Sequence, residues 1–74
     1  MNRSEFLKEF EKVIEAPPGS ITGREDLSSL EGWDSMSAMG FIAMVDSQLG
    51  VAVAPSDLAA SRTVADLLRL AGVS

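Results

Sequence analysis

Ala16-Pro17-Pro18-Gly19 cuts the chain after its first amphipathic segment. Two consecutive prolines remove two backbone donors and the glycine admits a turn, so no regular helix crosses this point. With 74 residues in all, the stop leaves room for short helices around one small core. Before it, Phe6, Leu7, Phe10, Val13 and Ile14 recur at the spacing of one buried helical stripe. Glu5, Lys8, Glu9, Glu11, Lys12 and Glu15 fill the other side. A first helix is therefore expected over about residues 5–15. Asn2 or Ser4 caps its start, and Asn2 followed by Glu5 has capping-box spacing.

A long connection follows, over about residues 16–34. Loops beyond roughly 12–15 residues are uncommon in compact domains unless they are functional or internally packed. Ile21, Leu27, Leu30 and Trp33 are spaced along this one, which predicts that it folds back onto the core. Ser20, Thr22 and Asp26 are turn formers, and residues 26–29 suit a single helical turn. The second helix is expected over about 35–49, with Gly50 as its stop. Residues 51–54 are apolar and extended without a partner strand. Pro55 opens a short helix over about 56–60, which Ser61-Arg62-Thr63 breaks. Thr63 caps the last helix, about 64–71, ended by Gly72. Its apolar face is Val64, Leu67, Leu68 and Ala71. The expected fold is all-α: one domain over residues 1–74, a small bundle of three main helices plus one short helix, with a long loop between helices one and two.

The chain has no cysteine and no histidine. Disulfides and thiolate or imidazole metal sites are thereby excluded, leaving only carboxylates as metal ligands. The net charge of −5 repels nucleic-acid phosphates and anionic lipid surfaces and favours basic protein partners. No apolar run approaches the roughly 18 residues of a membrane span, and Met1-Asn2-Arg3-Ser4-Glu5-Phe6 lacks an apolar signal core. A cytoplasmic monomer is expected, with no nucleic acid, membrane span or metal. A small enzyme is disfavoured because no imidazole base and no glycine-rich phosphate loop exist. Asp34 and Asp46 lie about three helical turns apart, too far for a paired-carboxylate site. A DNA-reading helix is disfavoured because the second helix has no lysine or arginine.

That second helix has two apolar faces. On a wheel of about 100° per residue, Ala38, Phe41, Ile42, Val45 and Leu49 form the expected core stripe. The opposite arc carries Met36, Met39, Gly40, Ala43 and Ser47, with Met44 at its flank, instead of charges. Methionine is adaptable and recurs at surfaces that meet several partners. The arc is either ordinary apolar exposure or a docking face for a partner, composed of Met36, Met39, Gly40, Ala43 and Asp46. Gly40 costs roughly 1 kcal/mol against alanine in mid-helix. It either admits a partner's backbone or has no such role.

At the start of this helix stands Gly32-Trp33-Asp34-Ser35-Met36. A serine hydroxyl needs an adjacent base to act as a nucleophile, and no histidine exists to serve. Asp34-Ser35 is explained by helix capping alone. It equally suits a place where the protein is modified, since a helix N-terminus stabilises an attached phosphate, with Asp34 opposing by its charge.

Asp34-Ser35-Met36 resembles the Asp-Ser-Leu signature of the acyl carrier proteins and related thiolation domains. Leu30-Glu31-Gly32-Trp33 resembles the variant in which Trp precedes the Asp. Thr63-Val64-Ala65-Asp66-Leu67-Leu68 is similar to the family's fourth-helix motif, and the likeness covers nearly the whole chain. It implies that Ser35 is the attachment point of 4′-phosphopantetheine, delivered from coenzyme A by a phosphopantetheinyl transferase, with Asp34 as part of the motif. It implies acyl groups carried as thioesters to acyl-loading and acyl-processing enzymes. It also implies an acyl pocket, whose candidates here are Phe41, Ile42, Val45, Leu58, Val64 and Leu68, unless they are plain core.

The chain departs from typical fatty-acid carriers in the second helix. It keeps Asp34 and Asp46 but places Ser37, Gly40 and Ser47 on the arc expected to be exposed and acidic. Its acids sit at Glu5, Glu9, Glu11, Glu15, Glu25, Asp26 and Glu31. Lost surface charges change steering and partner choice more than affinity. A specialised fatty-acid, polyketide or related carrier is expected. An aminoacyl or peptidyl carrier, or a cofactor-free helical interaction module, are the alternatives.

Overall fold

A computed structural model describes residues 1–73. It contains α1 (Arg3–Ile14), α2 (Ser35–Leu49), α3 (Pro55–Ala60) and α4 (Val64–Ala71), plus a single 3-10 turn at Leu27–Ser29. The all-α bundle is the expected one, and no β-strand occurs among the described residues. Asn2 caps α1: it accepts from the Glu5 N–H at 2.8 Å while the Glu5 carboxylate accepts from the Asn2 N–H at 3.0 Å. Thr63 and Asp66 make the same reciprocal pair at α4. α1 starts two residues earlier than its apolar stripe suggests, because the Asn2 cap leads directly into Arg3. It ends one residue sooner, since Glu15 turns left-handed (φ 57°) as its C-cap. Gly50 and Gly72 close α2 and α4 in the same conformation.

The core gathers α1, α2 and α4 around three fully buried phenylalanines. Phe41 meets Phe6 and Phe10 edge-on, with ring centroids 5.9 and 6.3 Å apart, the geometry that ring quadrupoles favour. Val45, Val64 and Leu67 are sealed in beside them. The long loop packs inward as expected, burying Ile21 and Leu27 and half-burying Leu30 and Trp33. It is also tied to the start of α4. An antiparallel bridge joins Asp26 and Thr63, the Leu27 N–H donates to the Arg62 carbonyl at 2.8 Å, and the Val64 N–H donates to the Glu25 carbonyl at 3.0 Å.

Three sequence expectations are corrected. Glu11 is not on the outer face of α1: it is 4% exposed, and its carboxylate accepts the Ile21 N–H at 3.1 Å, clamping the loop. Ser37 and Met44 are not on the outer arc of α2 but buried. The buried face of α2 runs through Ser37, Phe41, Met44 and Val45, while Ala38, Ile42 and Leu49 are only half-buried. The wheel is rotated because α2 is apolar almost all round. Ser37 tolerates burial because its hydroxyl is satisfied within the helix cap.

Candidate functional site

The turn before α2 is held from three directions. Gly32 lies against the end of α1, where a β-carbon would come within 2.9 Å of Ile14 Cβ. The Trp33 N–H donates to the Leu30 carbonyl at 3.1 Å. The Trp33 ring packs on Phe10 and Phe41, with centroids 5.8 and 6.1 Å apart. A rigid ring anchored in the core thus fixes the chain two residues before Ser35.

Asp34 then caps α2 from an extended backbone (φ −144°, ψ −171°). Its Oδ1 accepts the Ser37 N–H at 2.9 Å, and its own N–H donates to Ser37 Oγ at 2.7 Å. The Ser37 hydroxyl has the Asp34 carbonyl at 3.1 Å and Oδ1 at 3.2 Å as acceptors. The Ser37 N–H is the main cause that holds the Asp34 carboxyl below its ordinary range. Desolvation opposes it, and the Ser37 hydroxyl and Met36 N–H add to it. Asp34 is therefore an anion at neutral pH. All four of these bonds run between residues 34 and 37. Ser35, the first residue of α2, is exposed, and none of the four involves its hydroxyl. With no histidine in the chain, the hydroxyl has no imidazole to activate it, but it is open to a group brought by another protein.

From Ser35 a groove of about 390 Å³ runs between α2 and α3. Ala38, Met39 and Ile42 form one wall; Pro55, Leu58 and Ala59 form the other, and Trp33 joins them near the motif. Of the six pocket candidates, Ile42 and Leu58 line this groove. Phe41, Val45, Val64 and Leu68 do not line it; they lie in the closed core, at most 2% exposed.

Met36 and Met39 stand out from α2 at 83% and 72% exposure, and Gly40, Ala43, Asp46 and Ser47 are exposed with them. Gly40 faces α1: a β-carbon there would meet Val13 Cγ1 at 3.6 Å, an ordinary contact. It lines a crevice of about 520 Å³ with Val13 and Met36, bordered by the acids Glu15, Glu31 and Asp34 and by Lys12. The motif is thus flanked by an apolar groove on one side and an acid-rimmed crevice on the other. Sequence reasoning missed Ser37, whose signal is its position three residues after the Asp34 cap.

No membrane-length apolar helix and no cluster of three or more carboxylates placed to hold a metal occur among the described residues. The family model described as phosphopantetheine attachment site matches residues 4–71. No curated protein and no solved structure matches the chain.

Proposed function

We propose that this chain, which belongs to the phosphopantetheine-attachment family, carries its 4′-phosphopantetheine on Ser35. The observation that supports this reading is an exposed serine hydroxyl, left out of its own helix cap, at the mouth of an apolar groove. The residues fit the group. A phosphodiester on Ser35 would sit at the N-terminus of a 15-residue helix, where free amides and the macrodipole favour an anion, with the Asp34 charge opposing. The groove walls offer apolar surface to the arm and whatever it bears.

In loading, Ser35 Oγ bonds to the phosphorus of coenzyme A's phosphopantetheine as the diphosphate P–O bond breaks. Adenosine 3′,5′-bisphosphate leaves and the hydroxyl proton passes to solvent. The transferase must supply the activation, because this chain offers no imidazole. When bound, the arm supplies a terminal thiol that holds acyl groups as thioesters, the sulfur chemistry this cysteine-free chain lacks.

The remaining residues place the motif and present it. Trp33 and Gly32 fix the turn, Asp34 keeps a negative charge beside it, and Met36, Met39 and Ala43 offer an apolar face next to Ser35. Gly40 and Asp46 extend that face. The partners are a phosphopantetheinyl transferase and the enzymes that load and process the cargo. Acidic residues beside the motif lie at Glu15, Glu31 and Asp34, while α2 itself carries only Asp46, which favours a specialised acyl carrier of a fatty-acid, polyketide or related pathway. Incubation with a promiscuous phosphopantetheinyl transferase and coenzyme A tests the reading by intact mass. A gain of one phosphopantetheinyl group is expected; an unchanged mass sinks it and leaves the chain an interaction module. The mass of whatever loads the arm in the native host separates acyl from aminoacyl cargo.

A further inference from the structure

Each of the three long helices opens with a capping box, and each box holds one carboxylate. In α1 the cap Asn2 is neutral and the acid is Glu5; in α4 the cap Thr63 is neutral and the acid is Asp66. α2 reverses the order, with the acid Asp34 as cap and the neutral Ser37 as its partner. The reversal places the charge next to Ser35 instead of three residues on.

The reversal depends on Ser37. An acid at position 37 would take the Asp34 N–H, as Asp66 takes the Thr63 N–H at 3.1 Å. It would also set a second carboxylate close to Asp34, and like charges repel. A neutral donor avoids this. The Ser37 hydroxyl sits 2.7 Å from the Asp34 nitrogen and 3.2 Å from Oδ1. It therefore accepts from the backbone of Asp34 without repelling the carboxylate. The contacts from Ser37 reach Oδ1 and the backbone, leaving Oδ2 outside this network. Ser37 is 8% exposed, so it does not meet a partner broadly itself.

Resting on the reading of Ser35 as the attachment residue, we propose that Ser37 is a positioning residue for that modification. It acts through Asp34: it fixes the carboxylate beside Ser35, with one oxygen pinned. An enzyme that binds the diphosphate of coenzyme A presents cations around the point of transfer. The Asp34 carboxylate meets that basic rim and brings Ser35 into register with it. In α1 and α4, whose first helical residues are Arg3 and Val64, the charge sits in the ordinary third position.

The test transplants the α4 box into α2 with the variant Asp34→Thr/Ser37→Asp, which conserves net charge and both cap bonds. Loading by a promiscuous phosphopantetheinyl transferase is followed with coenzyme A saturating. Thermal midpoints of the unloaded proteins are expected to agree within about 5 °C. The KM for the carrier is expected to rise about tenfold while kcat changes less, as for a lost charge contact in recognition. Ser37→Ala, which keeps the amide bond to Oδ1, is expected to raise KM about threefold, and Ser37→Thr to restore it. A folded swap variant with the parent's KM overturns the proposal. If the swap does not fold, the alanine and threonine variants decide: a parental KM in Ser37→Ala, or no rescue by Ser37→Thr, overturns it. A parent protein that loads while its variants load equally well defeats this inference alone, whereas a parent that does not load defeats the carrier reading with it.

Discussion

Gly32 lies so close to Ile14 that a β-carbon on it would overlap the Ile14 backbone carbonyl. The turn that leads to the proposed attachment residue Ser35 is thus seated directly on the last residue of α1. Gly32→Ala must push the two apart. The expected cost is about 1–3 kcal/mol, the usual range for overpacking, read as a lower urea midpoint with an unchanged slope. Loading at Ser35 should slow as well, because Trp33 and Asp34 move with the turn.

Gly40 gives the opposite result. Its missing side chain faces Val13 Cγ1 at a comfortable 3.6 Å, and its helical backbone has no left-handed requirement. Gly40→Ala is expected to stabilise by about 0.5–1 kcal/mol through reduced freedom of the unfolded chain. Thermal unfolding of the two proteins checks this. If partner enzymes need close backbone approach here, transacylation slows even as stability rises.

Met36→Ser/Met39→Ser should leave stability nearly unchanged, within about 0.5 kcal/mol, since both side chains are mostly solvated. Turnover by the cargo-processing enzymes should fall severalfold. Paired unfolding and transacylation measurements decide: lost stability with normal transacylation would move these residues from a docking face to the core.

Much of this architecture is legible in the residues. Asn2 with Glu5, Thr63 before Val64, Pro55 and the glycines at 50 and 72 mark helix ends by local chemistry, and the helix ends fall within a residue or two of the positions so marked. The face of α2 is not legible that way. A wheel works by contrast between polar and apolar sides, and α2 offers little. It therefore places Met44 at the flank of the outer arc, whereas Met44 packs in the core, and it cannot know that Ser37 satisfies its hydroxyl against Asp34. Glu11 was hidden for a similar reason. Its helical position looks solvent-facing until the loop returns and brings the Ile21 N–H to it. Ser35 is proposed from the pattern around it, while the groove beside it depends on where α3 falls.

Acid should destabilise the fold modestly. Burial raises the Glu25 carboxyl, but the N–H groups of Thr22, Glu25 and Gly23 and the Thr22 hydroxyl overcome this and lower it to about 2. Asp66 is lowered too, chiefly by the Arg62 and Thr63 N–H groups. In the unfolded chain both return to ordinary values near 4, so the unfolded state takes up protons first as pH falls. Their contribution is full above about pH 5 and is lost progressively down to about pH 2. Urea midpoints should be flat from pH 7 to about pH 5 and fall below it. Glu25→Gln should be less stable at pH 7 and show a shallower acid slope; an identical slope would mean that the Thr22–Glu25 network carries no linkage.

The most direct test of the account locates the phosphopantetheinyl group within the loaded chain. After treatment with transferase and coenzyme A, the protein is digested and the peptide spanning Trp33 to Met44 is fragmented to assign the modified residue. One phosphopantetheinyl group is expected on Ser35, none on Ser37, and no gain of mass in Ser35→Ala. A group on another serine, or a mass gain that survives Ser35→Ala, would contradict it.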